Sequence, residues 1–421
     1  MFDLSITGKK MNRLSGVRSI LFDIEETMKK AKDKRIYNMS AGNPMVLPEI
    51  VNLWKKYTKE LLDTDNFCEA ICRYGSTVGF DVFIEAMLNL VNKEYNWNMT
   101  PQNIAIGSGS QSLSFFVVNC YAGRFEDRIK KVLLPVSPDY TGFDSLPLIE
   151  NINISYKPTL DIIDNHYFKY RPNFDDLKID DSIGVVLFSR PTNPTGNVIT
   201  DDETDRIIQL AKEKNIPVII DSAYASPIPN IVYTSMKPHM DDNVIHIMSM
   251  SKVGLAGERI GIAFAQNQEI IKSIVSFVAN LHIHSSRFGQ ALAAKAIMSG
   301  ELKKVCNEFI NPFYDKKRKL SELAIKESFD DRIPYYIHKG EGTMFLWIWL
   351  KDLPITDKEL YEILKQKDVV IVPGNPFFVG LEKVEWKHKH ECIRISLVAS
   401  DKDLTEGIEI IGKTLKEIYK T

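Results

Sequence analysis

The stretch 249-SMSKVGLAGERIG-261 decides how the rest of the chain is read. It sets one lysine, Lys252, among serines and small residues directly after the apolar run "NVIHIM", with one arginine, Arg259, seven positions further on. An apolar run without alternation, bounded by turn residues, has the pattern of a strand buried on both faces. A lysine at its carboxyl end is either a solvated loop residue or an amine held in a pocket for chemistry.

Outward from this stretch the same rhythm repeats. Between about residues 100 and 265 the runs "NIAIGSGSQSLSFFVVNCYA", "KKVLLPVSPDY", "SIGVVLFSRPTNPTG", "IPVIIDSAYA", "NVIHIMSMSK" and "RIGIAFA" each pair an apolar core with a polar turn. Such runs predict an α/β domain built on a mostly parallel sheet between helices. The segment "TDDETDRIIQLAKEKNIP" opens with Thr200 and Glu203 in capping-box spacing and closes at Asn215 and Pro217, as a crossover helix should. After Gly300 the texture changes to "GTMFLWIWL", "DKELYEILKQK", "VVIVPG", "ECIRISL" and an amphipathic segment from Asp401, which predicts a smaller α+β domain. The expected division is a large domain over 51–295 and a small domain from 1–50 and 296–421. The tryptophans of "FLWIWL" are expected in the core.

Composition narrows the ligands. With 421 residues, 53 basic against 55 acidic side chains and a formal charge of -2, the chain offers no electrostatic case for a nucleic acid or an anionic membrane. No run approaches the ~20 apolar residues of a membrane span, and the first residues lack the pattern of a secretory signal. The cysteines Cys68, Cys72, Cys120, Cys306 and Cys392 are odd in number and scattered, which fits a reduced compartment. A cytoplasmic location is expected, and the N-x-S/T patterns at Asn38, Asn98 and Asn153 are chance matches.

In open parallel sheets, ligands bind beyond the carboxyl ends of the strands. Four ends here are rich in polar residues: "GSGSQS", "SRPTNPTG", "DSAY" and "SMSK". Asp221 ends an apolar run, where a carboxylate costs several kcal/mol unless a cation or strong donor meets it. "GSGSQS" opens a helical segment, so backbone N–H groups with Ser110 and Gln111 could cradle a phosphate. It is not the dinucleotide fingerprint, since Ser112 stands where the third glycine would be. A partly desolvated lysine flanked by cations loses its proton readily, and a neutral amine can condense with an aldehyde. Pyridoxal 5'-phosphate is the commonest such aldehyde cofactor. It requires a lysine, an acid for its ring nitrogen, donors for its phenolic oxygen, an aromatic cover and a phosphate cradle.

The ordered series "GSGSQ", "PDY", "NPTG", "DSAY", "SMSK", Arg259 and "IRISL" resembles the fold type I pyridoxal-phosphate enzymes of the aspartate aminotransferase superfamily, over nearly the whole chain. Within it, "SAGNPMVLPEI", "SRPTNPTGNVITDDE", "FLWIWLKDLPIT" and "VVIVPGNPFF" most resemble the valine–pyruvate aminotransferases. The resemblance implies a large domain with a seven-strand type of mostly parallel sheet and a smaller α+β domain. It implies that Lys252 carries the cofactor and moves the proton at the substrate Cα. Asp221 would face the ring nitrogen, Asn193 and Tyr224 the phenolic oxygen, and Tyr140 one ring face. Ser110, Gln111, Ser249, Ser251 and Arg259 would hold the phosphate. Arg394 would fork onto the substrate α-carboxylate, with Asn193 and the Gly42 backbone close by. Tyr74 in "CRYGS" would reach the phosphate of a second subunit, which implies a homodimer with composite sites.

The implied reaction exchanges an amino group between a small aliphatic L-amino acid and a 2-oxo acid such as pyruvate. Another pyridoxal-phosphate reaction, elimination or cyclisation on an amino acid, would use almost the same surroundings of the cofactor. A DNA-binding regulator or a purely structural protein would not need Lys252, Asp221 and Arg394 together. The pairs His282 with His284 and His388 with His390 lack the partners of a metal site, so no metal is expected.

Overall fold

The computed structural model describes residues 2–12, 17–31 and 34–420. Its larger sheet of eight strands follows the path Ile104–Gly107, Gly261–Ala265, Val244–Ser249, Val218–Asp221, Ile183–Ser189, Ile129–Leu134 and Gly123–Arg124. Asn153–Ser155 attaches beside Ile129–Leu134 as the eighth. The central pairings are parallel, and Gly261–Ala265 is inserted antiparallel between two of its neighbours. This is the expected α/β architecture.

The doubly apolar runs explain the layering. Along the strands, Ala105, Ile219, Ile245 and Ala263 face helices Ser110–Tyr121 and Gln268–His282 through Leu113, Phe116, Ile271 and Ile274. The alternate residues Val186, Phe188, Val218 and Ile220 face the other way, onto Ile207, Ile208 and Ala211 of helix Asp201–Lys212. All seven residues of Ile183–Ser189 are buried, and each large aliphatic side chain so placed contributes about 1.5–3 kcal/mol. The capping box at Thr200 and Glu203 is formed in both directions, which satisfies two of the helix's orphan N–H groups.

A second, six-stranded sheet runs Val372–Pro373, Cys392–Ser396, Phe345–Leu350, Tyr335–His338, Tyr167–Arg171 and Thr159–Ile162. The strand Tyr37–Asn38 pairs with Val369–Val370, so the beginning of the chain joins this unit. Trp347 and Trp349 are buried in its core. Two of its strands, within 159–171, come from inside the 51–295 stretch. The segment "YFKYR" interrupts its aromatic residues with Lys169 and Arg171 instead of forming an unbroken apolar run. Phe168 and Tyr170 pack on the face of Trp347 and Trp349, while Lys169 is buried by pairing with Glu341 at 2.6 Å.

Candidate active site

Strand register brings the polar ends together. Ser189 lies opposite Asp221, and Asp221 lies opposite Ile247, so Ser249 projects just beyond them at the same edge of the sheet. Gly261 is paired with Ser249 on one side and with Gly107 on the other. Arg259, two residues before Gly261, and Ser110, three after Gly107, are therefore delivered to that edge from strands of opposite direction. There they enclose a cavity of about 530 Å³ whose wall includes Lys252, Asp221, Tyr224, Asn193, Tyr140 and Arg394. Gly42, Ser110, Gln111, Ser249, Ser251 and Arg259 line it as well.

Lys252 donates from Nζ to Gly42 O at 3.1 Å, with its ammonium 5.4 Å from the centre of the Tyr224 ring. Burial lowers its pKa to about 8, the Arg394 and Arg259 charges push the same way, and Asp221 opposes them. About a tenth of the amine is then neutral at pH 7, far more than for an ordinary lysine, as a nucleophile or base needs. Gly42 takes part through its carbonyl, and an added Cβ there would meet nothing within 4 Å.

Arg394 crosses from the second sheet. Its Nη1 donates to Asn193 Oδ1 at 3.1 Å and its Nη2 to Ser40 O at 3.0 Å. The guanidinium lies 4.1 Å from the Phe345 ring centre and 5.1 Å from that of Phe377. Nε is buried with no partner, an unspent donor beside the cavity. Burial lowers the pKa to about 10, so the group stays a cation at neutral pH. A planar cation with donors to spare is suited to a carboxylate.

Asp221 is buried and accepts the Ala223 N–H at 2.9 Å. Burial raises its pKa to about 6, against the pull of that bond and of Lys252. A cationic ring N–H would meet a carboxylate already desolvated. Tyr224 is buried beside it, and burial pushes its phenol well up, which keeps it a donor. The Tyr140 ring stands edge-on to Phe143 at 5.4 Å.

At the other end lies an anion cradle. Helix Ser110–Tyr121 begins there, so its first N–H groups face the cavity. Arg259 donates from Nη1 to Ser251 Oγ at 3.2 Å, and Ser249 Oγ accepts the Ser251 N–H at 3.1 Å. Gly109 has φ +94, and a Cβ on it would lie 2.5 Å from Arg259 Nη2. Only glycine lets the loop and the guanidinium close around one site. A helix N-terminus, two serine hydroxyls and an arginine in one part of the lining, with a buried carboxylate and an amine in the same cavity, fit pyridoxal 5'-phosphate.

Tyr74 is the one candidate outside this cavity. It is 82% exposed, with its ring edge-on to His284 at 5.9 Å. His388 is buried against Tyr170 and Trp386, and burial lowers it to about 3. His390 lies 3.7 Å from Asp357. Among the described residues no group of His, Cys, Asp or Glu is placed to hold a metal ion, and no helix is long and apolar enough to cross a membrane. Phe345, the platform beneath Arg394, was not singled out from the sequence. It heads the apolar strand "FLWIWL" and carries no signal that separates it from core.

A family model described as aminotransferase class I and II matches residues 34–411. The chain is 34% identical over 416 residues to valine–pyruvate aminotransferase of Escherichia coli (strain K12), covering 99% of this chain and 98% of that one. It is 22% identical over 431 residues to aspartate aminotransferase of Sulfolobus acidocaldarius, covering 97% of each. Among solved structures, a putative amino-acid aminotransferase from Psychrobacter arcticum 273-4 superposes with a TM-score of 0.95 at 34% identity, covering 100% of each chain. Valine–pyruvate aminotransferase from Salmonella typhimurium LT2 does so at 0.86 and 34% identity, covering 94% of this chain and 99% of that one.

Proposed function

We propose, for a chain that belongs to the aminotransferase class I and II family, that its substrates are a small aliphatic L-amino acid such as valine and a 2-oxo acid such as pyruvate. The protein is a pyridoxal-phosphate-dependent aminotransferase. One observation carries the narrower reading. Lys252, Arg259 and Arg394 are the only lysines and arginines among the described residues lining the cavity. Lys252 and Arg259 have work at the cofactor and Arg394 at the α-carboxylate, so this chain adds no further cation to its own cavity for an acidic substrate side chain. Similarity to valine–pyruvate aminotransferases at 34% identity supports the same choice.

The placement of these side chains around one cavity supports the following roles. Pyridoxal phosphate, when bound, supplies an electron sink for the pair left at the substrate Cα when its proton departs. Asp221 holds a proton on the ring nitrogen, and Tyr224 and Asn193 donate to the phenolic oxygen. Ser110, Gln111, Ser249, Ser251 and Arg259 hold the phosphate, and Tyr140 covers a ring face. Arg394 binds the α-carboxylate next to Asn193 and the Gly42 backbone. Neutral Lys252 takes the proton from Cα and returns it, with the advantage of a tethered base. Two half-reactions use one site in turn, first with an amino acid and then with an oxo acid.

The working unit is a homodimer in which Tyr74 of one subunit reaches the phosphate site of the other, a reading its exposure and its place outside its own cavity support. The unit over 51–295, apart from the strands within 159–171, carries the cofactor, and 1–50 with 296–421 completes the cavity through Gly42 and Arg394. The proposed location is the cytoplasm, with all five cysteines free thiols.

The test is a half-reaction. L-valine added alone to the cofactor-loaded protein is expected to shift the visible absorption band and release one oxo acid per site, and pyruvate to reverse the shift. A loaded protein that ignores valine and alanine but responds to an acidic or aromatic amino acid overturns the substrate class.

A further inference from the structure

Asp139 is 1% exposed and lies behind the cavity wall, not in it. A carboxylate buried this deeply is tolerated only where donors converge on it, and three do. Oδ1 accepts the Tyr140 N–H at 2.6 Å and the Ser189 hydroxyl at 2.6 Å, and Oδ2 accepts the Ser189 N–H at 2.9 Å. Burial raises its pKa to about 7 against the pull of those bonds.

The partners matter because of what they carry. Tyr140 presents its ring to the cavity, and Ser189 ends the strand that leads into Asn193. The Asp139 N–H itself donates to Phe377 O at 2.9 Å, and Ser137 Oγ donates to Val379 O at 3.0 Å. Phe377 packs against the Arg394 guanidinium. From the other side the Tyr140 ring is confined by Gly142, where a Cβ would lie 2.3 Å from the ring.

We infer that Asp139 is a positioning residue for the cofactor: its carboxylate ties the Tyr140 backbone to the Ser189 strand end and so sets the position of the Tyr140 ring over the cofactor plane. The inference rests on the reading of Tyr140 as the covering ring. An amide in place of the carboxylate cannot accept all three bonds. With one acceptor oxygen, an asparagine turns an NH2 group towards Tyr140 N–H or Ser189 N–H, both donors, and at least one bond is lost.

The experiment compares wild type with Asp139→Asn, Ser189→Ala, Ser189→Thr and Tyr140→Ala, all as cofactor-loaded protein. It reads the circular dichroism of the visible cofactor band and the cofactor Kd by fluorescence quenching. Asp139→Asn is expected to weaken the visible dichroism and raise the cofactor Kd about tenfold, a loss of about 1.4 kcal/mol of binding. Ser189→Ala, which removes one donor, is expected to move both readouts the same way by less. Ser189→Thr, which keeps the hydroxyl donor, is expected to match wild type. If Asp139→Asn yields no folded protein, the Ser189 pair decides by the same readouts.

Two results overturn the inference and are distinguishable. If Tyr140→Ala loses cofactor affinity while the Asp139 and Ser189 variants keep wild-type dichroism and Kd, Asp139 is a structural group without influence on the ring. If Tyr140→Ala itself changes neither readout, the assignment of Tyr140 to the cofactor face has failed, and the positioning role falls with it.

Discussion

Arg394 and Asn193 are joined by a 3.1 Å hydrogen bond from Nη1 to Oδ1, and this contact spans the two sheets. Arg394 belongs to the strand Cys392–Ser396 of the smaller sheet, and Asn193 follows Ile183–Ser189 of the larger one. The site is therefore assembled between two units. Substrate carboxylate and cofactor phenolic oxygen would be read by side chains already bonded to one another. Replacing Arg394 with lysine loses the planar fork and releases Asn193. The expected cost is a drop in kcat/KM of about 10²-fold, carried mainly by KM, as measured with L-valine under steady-state conditions.

Lys252→Ala removes both the amine and the base. Activity is expected to fall by about 10³-fold or more, while far-ultraviolet circular dichroism and the unfolding midpoint stay near wild type. Removing a partly desolvated lysine relieves a burial cost, so a lost fold would point to a structural role instead. A variant that turns over at the wild-type rate refutes the assignment.

The pH response of Lys252 has a definite sign. Burial, Arg394 and Arg259 all favour the neutral amine, which puts the pKa at about 8. In cofactor-free protein, the rate of amine modification at Lys252 is expected to rise with pH through a midpoint near that value. In Arg394→Gln one positive neighbour is gone, the ammonium is less disfavoured, and the midpoint is expected to move up. A midpoint that moves down or stays fixed contradicts the electrostatic account.

Gly109→Ala tests the cradle. At φ +94, with Arg259 Nη2 2.5 Å from the added Cβ, the substitution is strained by about 1 kcal/mol or more and pushes the guanidinium aside. Weaker retention of pyridoxal phosphate on dialysis, together with a lower urea midpoint, is the expected pair of results. Gly42→Ala, where a Cβ meets nothing within 4 Å, is expected to leave retention unchanged.

Composite sites can be tested by mixing subunits. Lys252→Ala and Tyr74→Ala chains, each defective alone, are expected to regain activity when refolded together. A mixed dimer has one site with both Lys252 and a Tyr74 from the partner, giving about a quarter of wild-type activity if subunits pair at random. No recovery at all argues that Tyr74 serves its own chain, and a Tyr74→Ala chain fully active by itself argues that it serves neither.

Much of this molecule was legible from the chain. Apolar runs separated by polar turns specify doubly buried strands, because local periodicity and burial are set by consecutive residues. The order of "GSGSQ", "PDY", "NPTG", "DSAY" and "SMSK" then predicted which strand ends are polar, and every candidate but Tyr74 lines one cavity. Thr200 and Glu203 cap their helix as their spacing required. What sequence alone determined was thus the α/β class, the family and a set of candidates that, Tyr74 aside, meets at one cavity.

Tertiary structure decided the rest, because it depends on contacts between residues far apart in the chain. Register, not spacing, sets Ser249 and Gly107 on either side of Gly261 and so brings Arg259 to Ser110. The pKa of Lys252 follows from a depth of burial and from an Arg394 on another sheet. Strands within 159–171 leave the larger sheet because Phe168 and Tyr170 find their apolar partners in Trp347 and Trp349. In the sequence Asp139 is only the residue before Tyr140 in "PDY". Only the fold shows that its carboxyl oxygens meet three donors, since a buried carboxyl group takes its meaning from the groups that solvate it.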